Sequence, residues 1–229
     1  HFYQTITELE AIALHNNKYK FRYFFYSLKS LYFELTKDSD ALITHNKIAY
    51  TFFDKLGKDL HYAVKFNFIA GSIPYYILKN QFAPAEQAIN LSLSVAPTHS
   101  FNWQKILIYQ SILGFYSHKP KITLRAFKLA QEVPTKKIKS EVLLDKWHLI
   151  EGYLAFFGII GQILPMESFR LSRWLNIIEH RNKEQQKANL IIIELLHHLA
   201  NKNYQKYFHK TEQIESYIAT HFKAHTYKR

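Results

Sequence analysis

Residues 17–36 read NKYKFRYFFYSLKSLYFELT, and the spacing of their apolar side chains decides the local structure. Phe21, Phe24, Phe25, Leu28, Leu31, Tyr32 and Leu35 recur at i, i+3, i+4 and i+7, the period of one helix face. Residues 184–201 repeat it with Ala188, Ile191, Ile192, Leu195, Leu196 and Leu199. Residues 204–222 do so with Tyr207, Phe208, Thr211, Ile214, Tyr217, Ile218 and Phe222. No segment alternates apolar and polar residues between Gly or Asn turns as a strand would. The sequence predicts an all-α protein.

Helix punctuation divides the rest of the chain. Breaks fall at Asn16-Asn17, Asp38-Ser39-Asp40, Ala83-Pro84, Ala96-Pro97, Lys119-Pro120, Val133-Pro134, Leu164-Pro165 and Asn201–Asn203. They predict about eleven helices, at 2–14, 17–36, 40–57, 60–80, 84–95, 101–117, 121–132, 137–160, 166–180, 184–201 and 204–223. Connections this short place neighbours as antiparallel hairpins. Pro74 lies inside the fourth helix, where it kinks or shortens it.

The chain has 229 residues, 48% of them apolar, which is ample for a core and unlike a disordered segment. Without cysteine there is no disulfide framework, thiolate metal site or cysteine nucleophile. The longest apolar run, YLAFFGIIGQI at 153–163, falls short of the roughly 20 residues that cross a bilayer. The N-terminus lacks a basic segment feeding an apolar one. The expectation is a cytoplasmic protein with no membrane partner, here a piece of a longer chain because it starts without Met.

The second helices of successive hairpins are expected near 84, 121, 166 and 204. Ala85, Ile89, Ser92 and Pro97 follow a small, bulky, small, proline spacing, and Thr123, Phe127 and Ala130 repeat its first three members, with Pro134 one residue early. The last hairpin offers Tyr204, Tyr207, Thr211 and Ile214. In these residues, over roughly 60–223, the chain resembles the tetratricopeptide repeat family. The family's first-helix signature of Trp, Leu-Gly and Tyr is kept in part. Trp103 and Trp147 precede Ile106 and Ile150, but Gln110 and Leu154 stand where the family has Tyr.

The resemblance implies a right-handed solenoid of antiparallel hairpins over 60–229, with the helices of 1–59 packed on it in one continuous domain. An irregular helical bundle is the alternative. It also implies a non-catalytic protein- or peptide-binding scaffold whose inner wall is lined by the first helix of each pair. The family's inner-wall positions fall on Asn67, Lys105, Ile112 and Tyr116, and Tyr109, four residues beyond Lys105, shares their stripe. Lysine with tyrosine suits the carboxylates and carbonyls of an acidic peptide. Such repeats also serve as the regulatory part of longer bacterial proteins.

Other chemistries find little support. Glu194 with His197, and Asp145 with His148, set a carboxylate and an imidazole three residues apart, yet no further inward carboxylates complete a di-metal site. No HExxH, GxSxG, GxxxxGK[ST] or GxGxxG motif occurs. No enzyme, metal or cofactor is expected. The seven aromatics Phe21, Tyr23, Phe24, Phe25, Tyr26, Tyr32 and Phe33 are read as buried between neighbouring helices.

Charge supplies the alternative function. Lys and Arg number 30 against 18 Asp and Glu, and of the net +12 residues 61–140 carry +8. A basic stripe there, comprising Lys119, Lys121, Arg125, Lys128, Lys136, Lys137 and Lys139, is the pattern of a phosphate-binding surface and makes nucleic acid the second candidate partner.

Overall fold

The computed structural model describes residues 2–15, 18–57, 61–133, 140–179 and 187–221. Among the described residues the regular structure is entirely α-helical. The helices are α1 (Phe2–His15), α2 (Tyr19–Leu35), α3 (Ser39–Lys55), α4 (Tyr62–Leu78), α5 (Phe82–Val95), α6 (Phe101–Tyr116), α7 (Pro120–Gln131), α8 (Glu141–Ile159), α9 (Leu171–Glu179), α10 (Lys187–Ala200) and α11 (Tyr204–His221). They fall into two compact units, His1–Ser117 and His118–Arg229. Helix α4 runs through Pro74 to Leu78.

One turn recurs along the chain. Helix α2 stops at Lys37, whose φ of 59° is left-handed. The Asp38 N–H then reaches back to the Phe33 carbonyl at 3.0 Å, and the Lys37 N–H to Glu34 at 3.1 Å. This paired closure satisfies carbonyls that the helix end leaves open. Asn80 (φ 57°) ends α4 in the same way, with Gln81 donating to Tyr76 at 2.8 Å. Lys202 (φ 57°) ends α10, with Asn203 donating to His198 at 2.8 Å. His118 after α6 is also left-handed, at 55°.

The residue that completes each closure also opens the next helix. Asp38 accepts from the Ala41 N–H at 3.0 Å as the N-cap of α3, and Asn203 accepts from Lys206 at 3.4 Å before α11. Three residues therefore suffice to reverse the chain between α2 and α3, α4 and α5, and α10 and α11.

In the first unit α1 packs on α2, α2 on α3, α3 on α4, α4 on α5, and α6 on both α4 and α5. The core between α2, α3 and α4 is aromatic. Phe53 and Phe68 stack at 5.5 Å, and Tyr23 and Tyr26 meet both edge-on. A polar thread crosses the same helices: Ser30 Oγ donates to Asn46 Oδ1 at 2.7 Å, and Asn46 Nδ2 donates to Ser72 Oγ at 3.2 Å. Gly71 makes room for it, since a Cβ there would sit 3.2 Å from the Asn46 amide. The aromatic run of α2 is mostly buried or half-buried as expected, and Phe24, 69% exposed, departs from that expectation.

In the second unit α8 packs on α7, α9 and α10, and α10 on α11. The ring of Trp174 of α9 presses close against Gly152 of α8, where a Cβ would come within 2.7 Å of it. Its indole N–H donates to the His148 carbonyl at 2.9 Å. Here the structure departs from the sequence reading, because α9 begins at Leu171 and not at 166. Gly161 (φ 76°) closes α8, but the chain then runs irregularly past Pro165, whose backbone passes close over Gly158.

The small, bulky, small positions of α5 and α7 are core positions, whereas the last-hairpin set departs from that pattern: Tyr204 is 54% exposed and Tyr207, Thr211 and Ile214 are half-buried. Ala85, Ile89, Ser92 and Thr123 are wholly buried, and Phe127 and Ala130 nearly so. Pro134 lies outside the described residues.

Two buried histidines tie helices together through backbone carbonyls. His45 Nε2 donates to Tyr26 O at 2.9 Å, and His197 Nε2 to Gly152 O at 3.1 Å. Burial lowers both imidazole pKa values below the usual histidine range. Below about pH 6.5 the unfolded chain therefore binds protons that the folded chain refuses. Stability is expected to be full above that pH and to fall as the pH drops below it, by up to about 1.4 kcal/mol per pH unit for each histidine, until its lowered folded-state pKa is passed. Urea titrations across this range check it, and His45→Gln should flatten the slope.

The left-handed turns make a second prediction, of opposite sign. A side chain in that conformation costs about 1 kcal/mol that glycine escapes. Lys37→Gly is expected to raise stability by about 0.5–1 kcal/mol, read from the urea midpoint at constant m-value.

Candidate partner-binding wall

Helix α6 is almost wholly enclosed. Trp103, Gln104, Ile106, Leu107, Ile108, Ser111, Leu113 and Gly114 are buried. Lys105, Tyr109 and Ile112 are half-buried and Tyr116 is exposed, so the four form an accessible stripe at i, i+4, i+7 and i+11. Four of the five expected inner-wall residues therefore share one face. Ser100 fixes where α6 starts, its hydroxyl accepting from the Trp103 N–H at 3.1 Å.

Two neighbouring helices extend this stripe. Burial first, then the negative charge of Glu34 on α2 and the Tyr75 phenol on α4, raises the Tyr109 pKa above the usual tyrosine value. Burial and Glu34 raise Tyr75 in the same direction. Glu34, Tyr75 and Tyr109 thus stand within electrostatic reach across α2, α4 and α6. The Lys105 ammonium lies 5.8 Å from the Tyr109 ring centroid, at the outer range of a cation–π contact. The result is a mixed wall of tyrosines with one cation and one carboxylate, suited to hydrogen bonding with an extended or helical backbone.

Asn67 takes a different role. It is exposed on α4, and its Nδ2 donates to Tyr23 Oη of α2 at 2.6 Å, which links α4 to α2. Sequence reasoning did not single out Tyr75 or Glu34. Tyr75 shares a helix with Asn67, whereas nothing local marks Glu34, whose charge acts on Tyr75 and Tyr109 from a helix distant in sequence.

The basic set lies elsewhere. Lys119 precedes α7, and Lys121, Arg125 and Lys128 are exposed at i, i+4 and i+7 along it, opposite buried Thr123, Ala126, Phe127 and Ala130. Among the described residues none of these four forms an ion pair with a carboxylate. Lys136, Lys137 and Lys139 lie outside the described residues.

The carboxylate–imidazole pairs have structural partners. Glu194 pairs with Lys210, His197 is held by the Gly152 carbonyl, and His148 Nδ1 stands 3.5 Å from Glu151. Among the described residues no three His, Asp or Glu side chains gather to hold a metal ion. No described helix is long and apolar enough to cross a membrane.

Among the described residues the fold class is thus all-α. Comparison with protein-family models, curated proteins and solved structures finds no match.

Proposed function

We propose that this chain is a tetratricopeptide-like helical-repeat scaffold that binds a protein or peptide partner along the α2, α4 and α6 wall. The observation that carries this reading is the repeated closure at Lys37, Asn80 and Lys202, which gives hairpins of unrelated sequence one turn geometry. Packing of α4 on α6, and of α8 on α10, adds support, since first helices meet in stacked hairpins. Such walls act by presenting fixed polar groups at a helical rise, so a partner's backbone is read by several helices at once.

Lys105→Glu with Tyr116→Ala tests the wall. Both positions reach solvent, so stability should change by no more than about 0.5 kcal/mol. Affinity capture followed by mass spectrometry should yield a partner with the unaltered chain and lose it with the double variant. Equal capture by both would remove the wall from the reading.

The stripe of Lys121, Arg125 and Lys128, which forms no ion pair among the described residues, favours a second reading, nucleic-acid binding through α7. Filter binding of single-stranded and duplex probes checks it. Retention at about 50 mM salt that weakens by at least tenfold at about 200 mM is expected if phosphates are contacted. Lys121→Ala with Lys128→Ala should then reduce the salt slope by about 2. No retention at the lower salt would leave the stripe a solvated surface.

A further inference from the structure

A groove of about 560 Å³ runs between α1 and α2, remote in sequence from the α6 stripe. Leu9 of α1 and Phe21, Phe25 and Leu28 of α2 line it, and Phe24 stands beside them, 69% exposed. The charged side chains lining it, Lys18 and Lys20, are both cationic and both exposed. Glu10, a carboxylate of α1 close by in sequence, is engaged by Lys29 at 2.8 Å and does not line the groove.

The apolar surface does not end with the groove. Leu31 and Leu35 follow Phe24 at i+7 and i+11 on α2 and are 43% and 66% exposed. An open trough with a continuing apolar ridge matches the side of a helix carrying anchors at i, i+3, i+4 and i+7. A single acyl chain would want an enclosed slot. The two lysines, within a chain of net charge +12, set the sign of the occupant.

We propose that the α1/α2 groove binds an acidic amphipathic helix of a partner protein, its apolar face on the phenylalanines and its carboxylates on Lys18 and Lys20. This site is additional to the α2, α4 and α6 wall and does not depend on it.

The test uses the full chain and a fluorescein-labelled peptide of about 18 residues, leucine at i, i+3, i+4 and i+7 and glutamate at most other positions, followed by anisotropy. Saturable binding is expected, weakened at least about tenfold by Phe24→Asp and by Lys20→Glu, which removes about 1.4 kcal/mol or more. A peptide with every glutamate replaced by lysine should not bind. Both substitutions are at exposed positions, and circular dichroism melts confirm the fold; Lys20→Glu serves alone if Phe24→Asp melts early. The wall variant Lys105→Glu with Tyr116→Ala should bind the peptide normally, which separates failure of this site from failure of the wall. Several outcomes would overturn the proposal: equal binding of the lysine peptide, or no loss with Lys20→Glu. Sedimentation showing a dimer that Phe24→Asp dissociates would do so by making a second copy the occupant. Capture of phosphatidylglycerol vesicles without peptide binding would do so by making a lipid surface the occupant.

Discussion

A helix can be stopped in many ways, and this chain repeatedly uses one. A single residue after the helix turns left-handed, and the next N–H bonds back to the carbonyl five positions earlier, as at Lys37–Asp38, Asn80–Gln81 and Lys202–Asn203. Because the closing residue doubles as the cap of the following helix at Asp38 and Asn203, the path between helices has almost no freedom left. Antiparallel packing then follows from chain geometry, before any side chain chooses a partner. The apolar faces decide only the depth and rotation of each contact.

Those faces were largely legible in the sequence. A 3.6-residue period over 17–36 and 184–201 marked the helices that the structure describes as Tyr19–Leu35 and Lys187–Ala200. The positions Ala85, Ile89 and Ser92, read from a family likeness, are among the most deeply buried of α5. Short side chains at such places let helix axes approach to about 8–10 Å.

What stayed hidden has identifiable causes. The left-handed turn residues Lys37, Asn80, His118 and Lys202 include no glycine, so the usual signal for that conformation is missing. Helix α9 begins late because Gly161 stops α8 and the chain then passes Pro165 over Gly158, an encounter visible only in three dimensions. The wall was half legible. The α6 stripe follows from helical spacing, whereas Glu34 and Tyr75 join it from helices distant in sequence, and Asn67 proves to be a link between α2 and α4. Phe24 belongs to an aromatic run whose composition alone reads as core, and only the geometry of α1 beside α2 leaves it in solvent.

No position of the three closures carries the same residue in all of them: Thr36-Lys37-Asp38, Lys79-Asn80-Gln81 and Asn201-Lys202-Asn203 set one backbone path on different side chains, with lysine at the left-handed place in two and asparagine in the third. Information about the fold therefore resides in dihedral angles more than in letters. Side chains at these turns can be exchanged without altering the course of the chain, provided that the left-handed dihedral and the back-bonded N–H are kept.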